Sequence, residues 1–423
     1  MKEIFGRLKS SQLAQNTLWM VIGNSVRIAL QAGYFILIAR SLGVGGYGAF
    51  IGASALVAIL APFSGLGSGN LLVKNVTRNV DSFGRSWGNA LFLILLTGTC
   101  LLILILSVSR FVLPDSIPLG LVITIGVAEL FFARFLDICG QAYQGILRLD
   151  RTAMLQTVPV VSRCIAVVGF SLVVRTPTPQ SWGCWYLAST VVAAVVGLAF
   201  VHRELGSPRF DLAGIKSEMG EGFYFSISLS AQGIYNDIDK TMLARLSSLS
   251  ATGIYGAAYR IIDVSFTPVR SLLFAAYARF FQHGQDGIKG SLGFARKLLP
   301  VAIGYGVVGG LILFMAAPLL PYILGPEYRE TVGALRWLAL LPLLKAVHYF
   351  AADTLTGAGF QKARSLVQVV VAVFNVGINF WLITSYSWRG AAWASLAPDG
   401  ILAFGLWMMV WRLCRTTEAV VHE

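Results

Sequence analysis

The sequence predicts an all-α polytopic membrane protein with about twelve transmembrane helices in two six-helix lobes. Three observations predict it: an apolar composition, long apolar runs from end to end, and a motif that recurs about half a chain later. The chain has 423 residues, of which 56% are hydrophobic and 13% charged, and its mean hydropathy is +0.71. Soluble domains carry about twice that share of charge. The composition therefore excludes an ordinary soluble protein.

The apolar runs have the length of membrane spans, since a helix needs about 20 apolar residues to cross a bilayer core. They predict twelve spans: 17–39, 47–67, 87–109, 117–142, 152–174, 181–201, 222–244, 252–276, 297–317, 331–353, 364–385 and 390–412. No short apolar region with a cleavage site precedes them, so we expect a cytoplasmic N-terminus rather than a signal peptide.

The basic residues indicate the orientation. With both termini cytoplasmic, 19 of them fall on the inner side and 6 on the outer side, which is the asymmetry of the positive-inside rule. The net charge of +13 is thus explained by membrane orientation, and we expect no nucleic-acid partner. The five cysteines form no CxxC pair and the four histidines do not cluster, so neither a disulfide framework nor a metal site is expected.

An internal repeat divides the chain. ARSLGVGGYG at 39–48 is similar to ARLSSLSATGIYG at 244–256, and each follows the first span of its half. Because each half has an even number of spans, the repeat is parallel, with its axis along the membrane normal. The charged segment between the halves predicts a linker. The predicted domains are an N-terminal lobe (1–201), a cytoplasmic linker (202–221), a C-terminal lobe (222–412) and a cytoplasmic tail (413–423).

Polar residues form stripes inside several spans. On the first span Asn24, Arg27, Gln31 and Tyr34 are spaced 3, 4 and 3 residues apart, which places them on one helical face. Spans 4, 7, 8 and 11 carry similar rows. Since lipid cannot solvate such faces, they must point to a partner helix or a watery cavity. The stripes come from both halves and predict a polar cavity between two lobes.

The charges in these stripes allow two interpretations. Three pairs, each three residues apart, are either local ion pairs that make insertion tolerable or part of a functional site: Arg134 with Asp137, Asp237 with Lys240, and Arg260 with Asp263. Arg27 has no acid within a turn, so it must face water, a distant acid or an anion. The spans hold 8 basic and 7 acidic residues. The cavity is cationic only if the acids are paired while Arg27, Arg163 and Arg260 are not.

Four stretches carry a family likeness. ILIARSLGVGGYGAF (36–50), LAPFSGLGSGNLLVKNVTR (60–78), YNDIDKTMLARL (235–246) and ATGIYGAAYRIIDVSFTPV (251–269) resemble the polysaccharide-transport, or O-antigen flippase, branch of the multidrug/oligosaccharidyl-lipid/polysaccharide exporter superfamily. The resemblance implies a V-shaped pair of lobes in the bacterial inner membrane. It also implies a function, namely movement of an undecaprenyl-pyrophosphate-linked oligosaccharide to the outer leaflet by alternating access. Its pathway would be O-antigen, capsule or exopolysaccharide synthesis.

The resemblance also suggests roles for particular residues. Arg27 on helix 1 and Arg260 on helix 8 match the family's charged cavity lining by position, and Asp239 stands where its helix 7 has an acid. A guanidinium offers planar donors to a pyrophosphate. The expected substrate-binding residues are Arg27, Arg260, Arg163, Asn24 and Gln31. The expected ion-coupling residues are Asp239, Asp263 and Glu129. The expected partners are the lipid-linked oligosaccharide, a proton or sodium ion, and a polysaccharide polymerase.

Three other functions compete with the flippase. They are an ion-driven drug exporter of the same superfamily, an intramembrane glycosyl polymerase or ligase, and a non-transporting scaffold. No GxxxxGK[ST] phosphate loop occurs, and no soluble segment is long enough for a catalytic domain. We therefore expect a non-enzyme with no catalytic residue and no cofactor. The sugar, the coupling ion and the oligomeric state are not encoded in any motif.

Overall fold

The computed structural model describes residues 2–211, 226, 230, 234 and 236–421. For residues 2–27, 78, 149, 274, 275, 278 and 416–421 it describes the backbone alone. Within these residues the chain is almost entirely helical and contains no β-strand. This confirms the predicted all-α fold.

The first half of the chain forms seven α-helices. Their bounds are α1 Lys2–Leu60, α2 Ser68–Arg78, α3 Phe83–Val112, α4 Leu119–Val127, α5 Ala133–Gly145, α6 Leu149–Val173 and α7 Pro179–Glu204. A single π-helical turn, Ala128–Phe132, joins α4 to α5. Short 3-10 turns, Ala61–Phe63 and Val80–Ser82, follow α1 and α2.

The second half continues with helices of more varied length. They are α8 at 236–246, then α9 Leu249–Ser265, α10 Thr267–Gly284, α11 Gly287–Ala316, α12 Leu320–Leu324, α13 Thr331–Leu338, α14 Leu341–Gly357 and α15 Gln361–Val421. The 3-10 turns Ala317–Leu319 and Pro326–Tyr328 flank α12.

Two of the long helices are broken by one non-helical residue each. Gly43 interrupts α1 with φ 66° and ψ 174°, a backbone region that glycine enters without steric cost. Ser387 interrupts α15 with φ 56° and ψ −134°. Each break lies between two predicted spans, so α1 and α15 each supply two of them.

The apolar helices match the predicted spans closely. Eight segments of the described residues are long and apolar enough to cross a membrane, and two of these, Ile28–Thr77 and Gln361–Arg415, contain the breaks just described. The span predicted at 222–244 lies partly outside the described residues, and that at 252–276 is divided between α9 and α10. The chain is a multi-pass membrane protein.

The described residues form two compact units. The first comprises Met1–Ser41, Ser64–Cys100 and Thr124–Phe223, and the second comprises Leu42–Phe63, Leu101–Ile123 and Tyr224–Glu423. These units group residues by contact and do not test the predicted repeat, so the six-helix lobes stay a prediction.

The core of the first unit lies between α2, α3, α5, α6 and α7. Its largest members include Trp87 and Tyr143, which are 2% and 0% exposed. The described part of the predicted linker packs on the same unit, because Arg209 N donates to Gly84 O at 2.8 Å and Asp211 N donates to Asn89 Oδ1 at 3.0 Å. Residues 212–221 of that linker lie outside the described residues.

The second unit has several buried clusters. One joins α8, α9, α13 and α15 around Tyr255 and Trp388, and another joins α10, α11 and α14 around Phe280 and Phe350. Large apolar side chains also cover the outside of the helices; Leu311, for example, is 62% exposed. Extensive apolar surface of this kind suits contact with lipid tails.

Candidate functional site

A charged network in the first unit is built on the π-helical turn. Glu129 lies in this turn, and its Oε1 is 3.2 Å from Arg163 Nη2 of α6. The Tyr186 hydroxyl of α7 donates to the same oxygen. The Arg163 guanidinium lies 4.6 Å from the centre of the Tyr186 ring. Single π-turns are frequent at functional sites because they shift a side chain out of the regular register.

This network changes the interpretation of two predicted residues. Arg163 was expected to bind substrate as an unpaired cation, but the structure pairs it with Glu129, which was expected to couple an ion. The two side chains are only 29% and 23% exposed, so each compensates the other's charge where water is scarce. Arg163 therefore does not meet the condition of an unpaired cavity cation.

The Glu129→Gln exchange is expected to lower the stability of the protein by about 1–3 kcal/mol, because it leaves Arg163 without its anionic partner. The melting temperature of the purified protein measures this. Asp150→Asn is the matched control, since it removes an acid that pairs with Arg148 at 3.3 Å, is 66% exposed and lies between two predicted spans. Exposed pairs contribute about 0–1 kcal/mol. Equal losses in the two variants would contradict a special role for the Glu129 network.

A second network surrounds Asp239 in the second unit. Asp239 is 4% exposed, and its Oδ2 accepts from the Tyr255 hydroxyl of α9 and from Ser395 Oγ of α15 at 3.4 Å. The Tyr255 and Ser395 hydroxyls are 2.7 Å apart. The other carboxylate oxygen of Asp239, Oδ1, lies 3.6 Å from Lys240 Nζ. One carboxylate thus connects α8, α9 and α15.

Lys240 is shared between acids and an aromatic ring. Its Nζ is 2.9 Å from Asp237 Oδ1, donates to Asn236 O at 2.5 Å and lies 4.1 Å from the centre of the Tyr259 ring. The predicted pair of Asp237 and Lys240 is therefore confirmed. Because Lys240 touches both Asp237 and Asp239, a change of charge on one acid would shift its attraction toward the other.

Further buried polar residues extend this network toward α14. Lys345 Nζ donates to the Tyr259 hydroxyl at 2.8 Å. His348 Nε2 lies 2.8 Å from Asp399 Oδ1, and both side chains are 3% exposed. Neither ring nitrogen of His348 makes a hydrogen bond with a described group. The contact with Asp399 is an ion pair only when the imidazole is protonated. Buried ionisable groups in a membrane span are expensive and usually functional.

The third predicted ion pair is absent. Arg260 and Asp263 are both half-buried on α9, yet no ion pair joins them, and Arg260 makes no hydrogen bond or ion pair with any described residue. The local interpretation of this pair is therefore wrong. Asp263 instead acts electrostatically on Lys240. Arg260 keeps the unpaired character that was expected of a cavity cation.

The remaining predicted residues lie on α1. The side chains of Asn24 and Arg27 lie outside the described residues, and Gln31 is half-buried. The structure groups Glu129 with Arg163 and places Asp239 beside Lys240. Sequence reasoning missed the hydroxyl donors that contact these acids, Tyr186, Tyr255 and Ser395. It also missed Tyr259, whose ring contacts Lys240. A signal existed for Tyr255 only, since it occupies the repeated Tyr-Gly of the second half.

These networks place buried and half-buried charged groups in contact with neutral hydroxyl donors. In the part of the chain that the structure describes, no three histidine, cysteine or acidic side chains gather as a metal-ion site. Asp239 instead has neutral hydroxyl donors on one oxygen and an ammonium near the other. Such a carboxylate can gain or lose a positive partner while its hydrogen bonds hold it in place.

Comparison with known proteins gives three kinds of match: a family model, a curated protein and several solved structures. The family model described as polysaccharide biosynthesis protein matches residues 13–280. A curated protein of Escherichia coli (strain K12), named "Putative O-antigen transporter", is 22% identical over 227 residues, which are 53% of this chain and 55% of the relative. The match thus spans about half the length of that relative.

Solved structures share the fold over most of the chain. An inward-facing multidrug resistance MATE family transporter of the MOP superfamily has a TM-score of 0.73 at 14% identity, with 92% of this chain and 96% of that one covered. The lipid II flippase MurJ, in an inward closed conformation, has a TM-score of 0.72 at 14% identity, with 93% and 87% covered. A MOP superfamily transporter of Pyrococcus furiosus has a TM-score of 0.62 at 14% identity, with 93% and 94% covered.

These likenesses agree with the sequence in two respects. The solved structures support the fold that the resemblance implied, a helical architecture shared by exporters and a lipid flippase. The family model extends over both predicted halves and includes the repeated motif of each. Since it covers more than half of the sequence, the chain belongs to the polysaccharide biosynthesis protein family.

Proposed function

We propose that the chain is a flippase that carries an undecaprenyl-pyrophosphate-linked oligosaccharide repeat unit from the inner to the outer leaflet of the bacterial inner membrane, with both termini cytoplasmic. The match of residues 13–280 to the polysaccharide biosynthesis family carries this proposal. The Escherichia coli relative, whose name is that of an O-antigen transporter, supports it. The surface polysaccharide served is O-antigen, capsule or exopolysaccharide.

The substrate would be held by cations that lack a protein partner. Arg260 is half-buried and makes no ion pair with any described residue, so its guanidinium is available to a phosphate. We assign Arg27 the same task and give Asn24 and Gln31 the binding of polar groups nearby. Arg163 would contribute only when its pair with Glu129 opens.

The transport cycle would be coupled to a proton or sodium ion. Asp239 is the strongest candidate, because it is buried and its charge is shared with a lysine that Asp237 also binds. Asp263 and Glu129 are weaker candidates. Glu129 is occupied by Arg163 and Tyr186, and Asp263 acts on Lys240 only at a distance.

Alternating access would require two motifs to separate. Residues 43–48 and 249–256, which are parts of the two repeated motifs, belong to different predicted lobes, yet they are packed against each other in the second compact unit. Rocking of the lobes would have to open this contact and close it again once per cycle.

Depletion of the protein from cells tests the proposed flippase function. In cells depleted of the protein, complete lipid-linked repeat units should accumulate on the inner leaflet, and wild type should clear them. Arg27→Ala should fail to clear them, and Arg27→Lys should clear them partly, because an ammonium cannot bind a pyrophosphate through a planar fork. Accessibility of the glycan in oriented membrane vesicles reports the leaflet.

The matched control is Arg40→Ala, an exposed arginine on the same helix, which should behave as wild type. Depletion without accumulation, together with loss of dye efflux, would contradict the flippase. It would favour an ion-driven drug exporter, the runner-up, which the likeness to a multidrug transporter fold supports. Accumulation of repeat units on the outer leaflet would instead indicate a polymerase or ligase.

A further inference from the structure

A polar groove lies in the second unit, away from the Asp239 network. It forms where the break at Ser387 in α15 meets the start of α9, and Glu330 is among its lining residues. Its volume is about 600 Å³, within the range of about 300–1,000 Å³ that is typical of small-molecule sites. Neither the transport mechanism nor the predicted site residues use it.

Hydroxyl groups dominate the wall of this groove. Six of its lining residues carry aliphatic hydroxyls: Ser247, Ser248, Ser250, Thr384, Ser385 and Ser387. Each hydroxyl can both donate and accept. Ser250 and Ser385 are exposed and make no hydrogen bond with the described residues. The wall therefore suits a ligand that is itself rich in hydroxyls.

The charges of the groove are balanced. Its lining includes one acid, Glu330, and one base, Arg389. Glu330 Oε2 accepts from Trp388 Nε1 at 2.6 Å, and the Arg389 guanidinium lies 5.4 Å from the centre of the Trp388 ring. An acid in the wall disfavours a phosphate or another concentrated anion. The favoured ligand is therefore uncharged.

The aromatic ring of Tyr386 lines the groove and packs against a second aromatic ring. Tyr386 is 51% exposed, and its ring centre lies 5.2 Å from that of Trp393, which in turn lies 5.7 Å from that of Trp337. A tyrosine held in this way offers a flat apolar face with a hydroxyl at its tip. A pyranose ring has the matching form, with an apolar C–H face and a rim of hydroxyls.

The backbone at Ser387 is strained, and its side chain is fixed. Its φ of 56° is rare for a residue with a side chain. Ser387 Oγ lies 2.6 Å from Ser247 Oγ, which ties the break in α15 to the turn before α9. Strain of this kind persists where the surrounding structure fixes it, often at binding sites.

We infer that this groove is a saccharide-binding site that takes uncharged sugar residues through its hydroxyl wall and Tyr386. The choice of a glycan as ligand rests on the proposed function. In the predicted orientation the groove faces the outer side, where the glycan would arrive after translocation. It would then hold the sugar chain while the lipid carrier remains in the membrane.

The test uses the full chain in phosphatidylcholine nanodiscs, so that no sugar-headed detergent competes. The probe is the free repeat-unit oligosaccharide, released from the cells' own lipid carrier by mild acid, and saturation-transfer NMR measures its binding. Wild type should bind it. Tyr386→Ala, and the double exchange Ser250→Ala with Ser385→Ala, should each weaken binding at least about tenfold.

Two controls make the result specific. Tyr322→Ala removes a tyrosine that is 82% exposed in the same unit but outside the groove, and it should bind as wild type. Arg27→Ala should also bind the free glycan while failing to clear lipid-linked units. No binding to wild type, or unchanged binding in both groove variants, would overturn the inference. Evidence against the flippase proposal would come from a separate result, namely that cells depleted of the protein do not accumulate lipid-linked repeat units.

Discussion

Asp239→Asn is expected to reduce translocation at least about tenfold, which corresponds to about 1.4 kcal/mol, while the protein still folds. The amide keeps the shape of the carboxyl group and can still accept from the Tyr255 and Ser395 hydroxyls. It lacks the negative charge that attracts Lys240 Nζ at 3.6 Å and the oxygen that accepts from Lys240 N at 2.7 Å. A loss of transport without a loss of fold would therefore be due to the contacts between Asp239 and Lys240. Clearance of lipid-linked repeat units by vesicles with an imposed proton or sodium gradient measures it.

The neighbouring acid provides the control for this exchange. Asp237→Asn removes the other carboxylate on Lys240, at 2.9 Å, but its side chain is 31% exposed and lacks the buried hydroxyl donors. We expect it to slow transport less than Asp239→Asn. If both variants lose transport equally, the acids serve only to neutralise Lys240. If the Asp239→Asn variant responds to the gradient as wild type does, Asp239 has no role in coupling.

Much of the fold could be predicted from the sequence because the thickness of the bilayer fixes the length of each transmembrane helix. Apolar runs of fixed length predict spans whatever their packing, and the breaks at Gly43 and Ser387 fall between predicted spans. Local ion pairs were predicted with mixed success. Three-residue spacing allows contact on a helix but does not require it, since Asp263 does not pair with Arg260 although both lie on α9.

The contacts between helices could not be predicted. Tyr186 is 57 residues from Glu129 in sequence, and Ser395 is 156 residues from Asp239. No spacing rule relates such positions, since they meet only after the helices pack. The stripe on α1 could be predicted as a face, yet its partners depend on the same packing. Residue types indicated a site, and tertiary structure decided which charges are neutralised.

The close contact between the two repeated motifs predicts a large effect of adding a single methyl group. A Cβ at Gly48 would lie 1.7 Å from Leu249 O, and a Cβ at Gly253 would lie 2.0 Å from Val44 O. Both obstacles are backbone atoms, which cannot move aside as a flexible side chain can. Gly48→Ala and Gly253→Ala must therefore push the helices apart, at a cost of about 1–3 kcal/mol or more. A lower melting temperature of each purified variant would show it.

Gly45→Ala provides the control within the same motif, because a Cβ there would meet only Ser250 Oγ at 3.8 Å, an ordinary contact. It should melt as wild type does. In transport the variants should diverge in the same way: Gly48→Ala should impair the closure of motifs 43–48 and 249–256 that alternating access requires, and Gly45→Ala should not. A Gly48→Ala protein that is as stable and as active as Gly45→Ala would mean that these helices need not approach so closely at any point of the cycle.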